Sequence, residues 1–307
     1  MKLELQPVSQ AILADKYFRH GEKSMAELKG RVARGLASRE LDHEHCARVF
    51  EEALDHIILG GRINASAGVD DLNTTWVNCF VQPLADSVYE PVAGFPSIME
   101  AARQAAQTMR LGGGVGYDFS PIRPKGAWIK KTQSLASGPI SYMEIFKSMC
   151  STVISAGARR GAQMGILRCD HPDIFDFIVC KRVDDPNVPH EMKPFYNLNL
   201  SVGVTDTLME AVEADGEFEL VHVAEPGPEI KASGAYQRED GKWVYRKVLA
   251  RELYDAIMFA TYQRAEPGVV FLDRINQDNN LRYIETIAAT NPYACGLPAE
   301  SGMENPI

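Results

Sequence analysis

From Thr75 to Asp273 the sequence switches repeatedly between short runs patterned for strands and longer runs patterned for helices, and no other feature restricts its fold as strongly. "TWVNCFVQP", "GVGYDF", "AQMGILR", "YNLNLSVGV" and "GVVFLD" read as strands. Between them, "SIMEAARQAAQTMRLGGG", "PISYMEIFKSMCSTVISAG", "PDIFDFIVCKR", "TDTLMEAVEADG" and "RELYDAIMFATYQRA" carry helical spacing, and Pro139 stands in a first turn, where its missing N–H costs little. Strands separated by helices return to one sheet in parallel, so the pattern predicts an α/β fold built from βα units around a sheet or barrel. "ELVHVA" and "KWVYRKV" predict a β-hairpin that interrupts the alternation, and "AEPGPEIKASGAYQREDGK" reads as a surface insertion.

The first 70 or so residues differ. "SMAELKGRVARGLA" and "HEHCARVFEEALDHIIL" are helical, with "LGGR" supplying glycine past the end of the second, which predicts a small helical lobe. A chain of 307 residues, 45% of them hydrophobic, has enough material for a sizeable core. A net charge of −9 argues against nonspecific binding to a nucleic acid polymer, because a phosphate backbone would be repelled. The sequence has no apolar run of about 18 residues to span a bilayer, and its start lacks the basic-then-apolar layout of a signal peptide. The expectation is a cytoplasmic protein away from membranes, whose six cysteines are not structural disulfides.

Three features invite chemistry. "GGGVG" looks like a dinucleotide fingerprint, but its glycines follow a helix and precede a strand, the reverse of that motif's order. A helix end with a sharp turn, or backbone brought close to a ligand, both fit. Arg123, Lys125, Lys130 and Lys131 crowd one loop; Arg159 and Arg160 fall in a second, and Lys181 and Arg182 in a third. Each alone reads as solvated surface, whereas their recurrence beside successive βα units suggests a nucleotide polyphosphate held by charge and backbone N–H groups. Cys79, in "VNCFV", reads either as a small buried hydrophobe or as a reactive thiol, the latter needing an electropositive, partly open setting. His43 and Cys46 have helical i,i+3 spacing without a convincing fourth ligand, so no metal site is assigned. Cys169, His171 and Asp173 read as a helix start.

"SGPISYMEIF", "GARRGA", "RCDHPDIFDFI", "NLSVGVTDTLMEAV" and "AEPGVVFLDRIN", in that order, closely resemble the catalytic subunit of class II, adenosylcobalamin-dependent ribonucleotide reductases. The resemblance runs from about Pro7 to Pro292 and implies a helical lobe (1–70), about the first half of a ten-stranded α/β barrel with its effector loops (71–292), and a divergent tail (293–307). It implies radical reduction of ribonucleotides to deoxyribonucleotides, with adenosylcobalamin as cofactor, a deoxynucleotide as allosteric effector and a thioredoxin-like or other dithiol as reductant. Cys79 would be one of two redox thiols. Asp86, Ser87, Arg123, Lys125 and Arg182 would contact the effector, with 123–138 and the stretch "KRVDDPNVPHEMKPFYN" as first and second specificity loops. Asn78, Gly113, Gly114, Asn199 and Ser201 would face the substrate.

The resemblance fails at the tail. The family's loop usually reads Asn-Pro-Cys-Gly-Glu; here Asn291 and Pro292 fit, Tyr293 takes the place of the radical cysteine, and Cys295 that of the glutamate. "PYACG" also resembles a later family motif, Pro-Tyr-Gly-Ala-Cys, so Cys295 is a displaced radical cysteine, a redox partner, or part of a junction or frameshifted tail. These readings imply a chain that lacks the second barrel half unless a homodimer or another chain supplies it, is inactive alone, and is poorly soluble with open sheet edges. Alternatives are a noncatalytic deoxynucleotide-binding fragment and a class I, iron-dependent large subunit; an NAD-type oxidoreductase fits poorly.

Overall fold

A computed structural model of the chain describes residues 6–153, 161–183, 187–189 and 192–292; Arg159, Arg160, Tyr293 and Cys295 lie outside them. The chain divides into two compact units, Met1–Asn78 with Leu111–Gly113, and Cys79–Arg110 with Gly114–Ile307.

The first unit is helical: α1 (Pro7–Ile12), a π-helical turn (Leu13–Tyr17), α2 (Met25–Ala37), α3 (His43–Ala53) and α4 (Gly61–Ser66). Ser24 and Glu27 form a reciprocal capping box that starts α2. Leu28, Val32 and Ala33 of α2 pack on Leu54 and Ala67. Arg31 is only 5% exposed. Its guanidinium donates to the Glu22 carboxylate at 2.7 Å and to the carbonyls of Tyr17, Asn64 and Ala67, so one buried cation ties three chain segments together. α3 ends earlier than its apolar pattern predicts. Leu54 caps it and Asp55 turns to the Lys29 ammonium of α2 at 2.6 Å, while Gly60 and Gly61 open α4 instead of closing α3.

The second unit runs β1 (Cys79–Val81), α5 (Ile98–Arg110), β2 (Gly114–Asp118), β3 (Trp128–Ile129), β4 (Ser134–Leu135), α6 (Pro139–Thr152), β5 (Gln163–Arg168), α7 (Ile174–Val179), β6 (Leu198–Val204), α8 (Asp206–Glu213), β7 (Glu217–His222), α9 (Pro228–Ala232), β8 (Tyr236–Gln237), β9 (Trp243–Leu249), α10 (Ala250–Arg264), β10 (Gly268–Phe271) and α11 (Leu272–Asp278). β1-β2-β5-β6-β10 form one sheet in that order, every pair parallel. β1 is shorter than its sequence pattern predicts, because Val77 N–H turns back to the Thr75 hydroxyl and takes the preceding residues out of the ladder. The expected hairpin is a three-stranded antiparallel sheet, β7-β9-β8, and the expected surface insertion supplies α9 and β8.

Strand alternation separates the two faces of the parallel sheet. Val115, Tyr117, Leu167, Leu198, Leu200 and Val202 enter the main core with Ala101 and Ala105 of α5, Phe146 of α6, Phe177 of α7 and Leu253 of α10. The opposite face carries a smaller cluster, Met164, Ile166, Val270 and Leu272, joined by Ala289. Burying each large apolar side chain contributes roughly 1.5–3 kcal/mol, so the helix-covered face dominates the stability of this unit. Beside that smaller cluster, the other face carries small and polar residues.

Candidate functional site

That inner face is built by parity. Register aligns Cys79 with Gly114, Gly116 with Met164 and Asn199, Ile166 with Ser201, and Ser201 with Gly268. Residues one position away point into the helix-covered core, so Cys79, Gly114, Asn199 and Ser201 fall together on the inner side. The glycines keep it low. A β-carbon at Gly114 would stand 3.3 Å from the Cys79 sulfur and 3.2 Å from Pro292 Cγ, and one at Gly116 would collide with the Thr290 carbonyl. The chain after α11 therefore lies across the glycine track of β2, with Thr290 and Asn291 each 5% exposed. Its hydroxyl contacts the Met164 sulfur at 3.6 Å. Cys79, Gly114 and the Asn291–Pro292 pair are thus brought together, while Asn199 and Ser201 continue the same face. Asn78 and Gly113 belong to the helical unit.

Of the "GGGVG" glycines, Gly112 has φ +95, the left-handed turn after α5, and Gly114 and Gly116 permit the close approach just described. Cap and close approach are both present, at different glycines.

Cys79 is placed differently from the other described thiols of its unit. Cys150, Cys169 and Cys180 pack on the helix side, where burial pushes their pKa up to about 11, 11 and 12. A thiol held neutral in this way is a poor nucleophile and a poor electron donor. Cys79 is half-buried and lies on the inner face.

The loop following β2 builds a second locus. Arg123 donates to the Asp86 carboxylate through its backbone N–H at 3.0 Å and through Nε at 2.8 Å. Ser87 Oγ accepts the Glu90 N–H and closes the turn beside it. Asp86, Ser87, Arg123, Trp128, Lys130 and Lys131 line one groove of about 1150 Å³, and Lys130 pairs with Glu225 at 3.0 Å. The expected convergence of the basic loops is only partly realised among the described residues. Arg182 lies on a different cavity, of about 610 Å³, with Lys181, Lys193 and Arg264, because Lys181 is drawn to Glu266 and Arg264 donates to the carbonyls of Lys181 and Val183. Lys125 contributes its backbone N–H to Asp173 at 2.8 Å and keeps its ammonium in solvent.

Sequence reasoning passed over Asp118 and His222 beside these loci and read His171 only as part of a helix start. Asp118 ends β2 on a cavity of about 490 Å³ that Arg168, Asp170 and His222 also line, and burial pushes its carboxyl up to about 6 against the Ser120 N–H bond. A carboxylate at the carboxyl end of a parallel strand is the available sequence signal. His171 and His222 stack edge to face with centroids 5.4 Å apart. Each accepts a backbone N–H at Nδ1, from Asp173 and Ala224, and donates Nε2–H to a carbonyl, Ile122 and Pro121 respectively. Burial lowers both, His171 to about 3, so both are neutral anchors of the loop that leads to Arg123. Nothing local in sequence distinguishes His222 from a surface histidine.

The profile of the family described as ribonucleotide reductase, barrel domain, matches residues 77–294, which include both loci. The chain belongs to the ribonucleotide reductase family. A vitamin B12-dependent ribonucleoside-diphosphate reductase of Mycobacterium tuberculosis (strain CDC 1551 / Oshkosh) is 36% identical over 315 residues, 98% of this chain and 41% of that protein. The enzyme of the same description from Thermoplasma acidophilum is 37% identical over 227 residues, 73% of this chain and 25% of its own length. A vitamin B12-dependent ribonucleotide reductase of Streptomyces avermitilis is 27% identical over 319 residues, 92% of this chain and 30% of its own. The chain spans about two fifths of the length of the first of these family members. Among the described residues no helix is long and apolar enough to cross a membrane.

Proposed function

We propose that this chain is the substrate-facing and effector-binding portion of an adenosylcobalamin-dependent ribonucleotide reductase that makes deoxyribonucleotides for DNA synthesis in the cytoplasm. The observation that carries the reading is the placement of Cys79: a half-buried thiol on the inner face of a parallel sheet, beside a glycine, with the Asn291–Pro292 segment crossing at the same point. The net reaction is balanced by two thiols: ribonucleotide and dithiol become deoxyribonucleotide, disulfide and water. Cys79 supplies one thiol, and its partner needs a Cα within about 7 Å, so it comes from chain beyond the described residues. An external dithiol reduces the pair again. Asn199, Ser201 and Asn291 offer hydrogen bonds on the same face, and the glycines of β2 leave room for a sugar.

Adenosylcobalamin enters through the names of the relatives. Its cobalt would arrive already held by the corrin ring, so the group asks no cluster of protein ligands of this chain, and none of three or more His, Cys, Asp or Glu is arranged for a metal ion among the described residues. The Asp86–Arg123 groove with Lys130 and Lys131 suits a deoxynucleoside triphosphate, Arg123 and the lysines meeting phosphate and the aromatic side chain of Trp128 offering a stacking surface.

The test is protection of Cys79. Cytidine or adenosine diphosphate is expected to slow iodoacetamide labelling of Cys79 and to leave Cys46 labelling unchanged, read by peptide mass spectrometry. Equal labelling with and without either diphosphate at millimolar concentration would remove the substrate-face reading.

A further inference from the structure

The hairpin that carries Lys130 and Lys131 has an unusual base. Its two arms, Trp128–Ile129 and Ser134–Leu135, pair antiparallel, and Gly126 N–H donates to the Ala136 carbonyl at 2.9 Å. Below that pair the two chains converge on one side chain. Asp173 Oδ2 accepts the Lys125 N–H at 2.8 Å, and a β-carbon on Gly138 would stand 2.5 Å from the same oxygen. Gly138 has φ +83 and is the last residue before α6. Asp173 is 8% exposed and occupies the N-cap of α7, yet makes no capping bond to its own helix. A short acidic side chain at an N-cap ordinarily accepts an N–H from the first turn. Here it is spent on a residue 48 positions earlier in the chain.

α7 is short and moves as one piece. Ile174, Phe177 and Ile178 are buried in the main core, so the helix is a rod about 9 Å long with its N-terminus on the hairpin base. His171, two residues before Asp173, takes a second hold by donating to the Ile122 carbonyl at 3.0 Å. The far end of α7 leads straight to Lys181 and Arg182, and Arg182 N–H donates to the Val179 carbonyl at 2.8 Å.

We propose that Asp173 is a positioning residue: its carboxylate holds the incoming strand of the 125–138 hairpin through the Lys125 N–H, sits against Gly138 of the outgoing strand, and so joins the hairpin base to α7, whose other end sets the start of the second basic loop. The inference rests on the reading of the hairpin as part of the effector groove. A ligand that draws Lys130 and Lys131 inward moves the hairpin about its base, and the pin converts that motion into displacement of α7 and of residues 181–183. Without the pin the hairpin still folds through its own ladder, but the two loops respond separately.

The experiment compares the 307-residue chain with Asp173→Ala, Asp173→Asn and Gly138→Ala, using thymidine and deoxyadenosine triphosphates as probes. Amide hydrogen exchange is followed at 121–138 and at 181–183, with and without nucleotide. In the ligand-free chain, loss of a charge-assisted bond is expected to speed exchange of the Lys125 amide roughly tenfold in Asp173→Ala, with Asp173→Asn, which keeps an acceptor, restoring most of the protection. In the wild-type chain nucleotide slows exchange at both segments; in Asp173→Ala and Gly138→Ala it slows the hairpin alone. Unchanged Lys125 exchange in Asp173→Ala, or nucleotide protection of 181–183 persisting in both variants, would overturn the pin. If the wild-type chain binds neither triphosphate, the effector reading falls, and the ligand-free Lys125 exchange alone decides whether Asp173 holds the hairpin.

Discussion

At the residue scale, burial and parity decide which groups are available for chemistry. Among the described cysteines, Cys46 and Cys79 are partly open, whereas burial raises Cys150, Cys169 and Cys180 to about 11 or 12. Thiol labelling of the native chain at pH 7.5 is therefore expected at positions 46 and 79 and absent at the other three; labelling of Cys150 or Cys169 at a comparable rate would contradict the packing. Asp118 gives a pH signature. Its carboxyl is enclosed although the residue keeps some surface, and its value of about 6 lies above 3.8. The folded chain therefore holds this proton more tightly than the unfolded chain, and the group's contribution to stability falls as pH rises from about 4 through 6. Asp118→Asn removes the titration and keeps an acceptor for Ser120. Relative to wild type, the variant is expected to gain on the order of 1–3 kcal/mol between pH 4 and pH 8 in denaturant unfolding. A difference that stays flat with pH would contradict it. Strand alternation set Cys79 on one side of β1, and only the family resemblance marked it as a redox thiol. Asp173 was legible only as a charge near a helix start, because its true partner, the Lys125 N–H, is set by tertiary folding.

At the element scale, the alternation of strand and helix patterns foretold each strand of the parallel sheet and the helices that cover it. What it misjudged were ends. β1 is cut to Cys79–Val81 by a side-chain turn, and α3 stops at Ala53 because Leu54 and Asp55 find partners elsewhere. Such competitions involve one or two hydrogen bonds and leave no periodic trace. Gly116 shows how closely elements are matched. Gly116→Ala places a methyl group against the Thr290 carbonyl, so the crossing segment must shift, at a cost of about 1–3 kcal/mol with faster amide exchange over 288–292. Exchange unchanged from wild type would show that this segment does not rest on β2. In the helical unit, Arg31→Met leaves Glu22 buried without its cation and three carbonyls without a donor, and is expected to destabilise that unit by about 3–5 kcal/mol in denaturant unfolding. A loss under 1 kcal/mol would mean that water reaches the site.

At the scale of the whole molecule, five parallel strands carry a helix-covered core on one side and, on the other, a smaller apolar cluster beside a track of glycine, cysteine, asparagine and serine. The inner face is where family resemblance and geometry meet. Tyr293 stands where the family motif has its radical cysteine, so the purified 307-residue chain is expected to reduce no ribonucleotide with adenosylcobalamin and a dithiol. Product deoxyribonucleotide above background, measured by chromatography, would contradict that. Binding is a separate property, and it rests on groups this chain already holds in place. The most direct measurement is titration calorimetry of deoxynucleoside triphosphates into the purified chain and its Arg123→Ala variant. Saturable binding to the wild-type chain, weakened at least roughly tenfold in the variant as loss of a charge-assisted phosphate contact requires, is the expected result. No binding to the wild-type chain, or equal binding to both, would contradict the assignment of the Asp86–Arg123 groove as a nucleotide site.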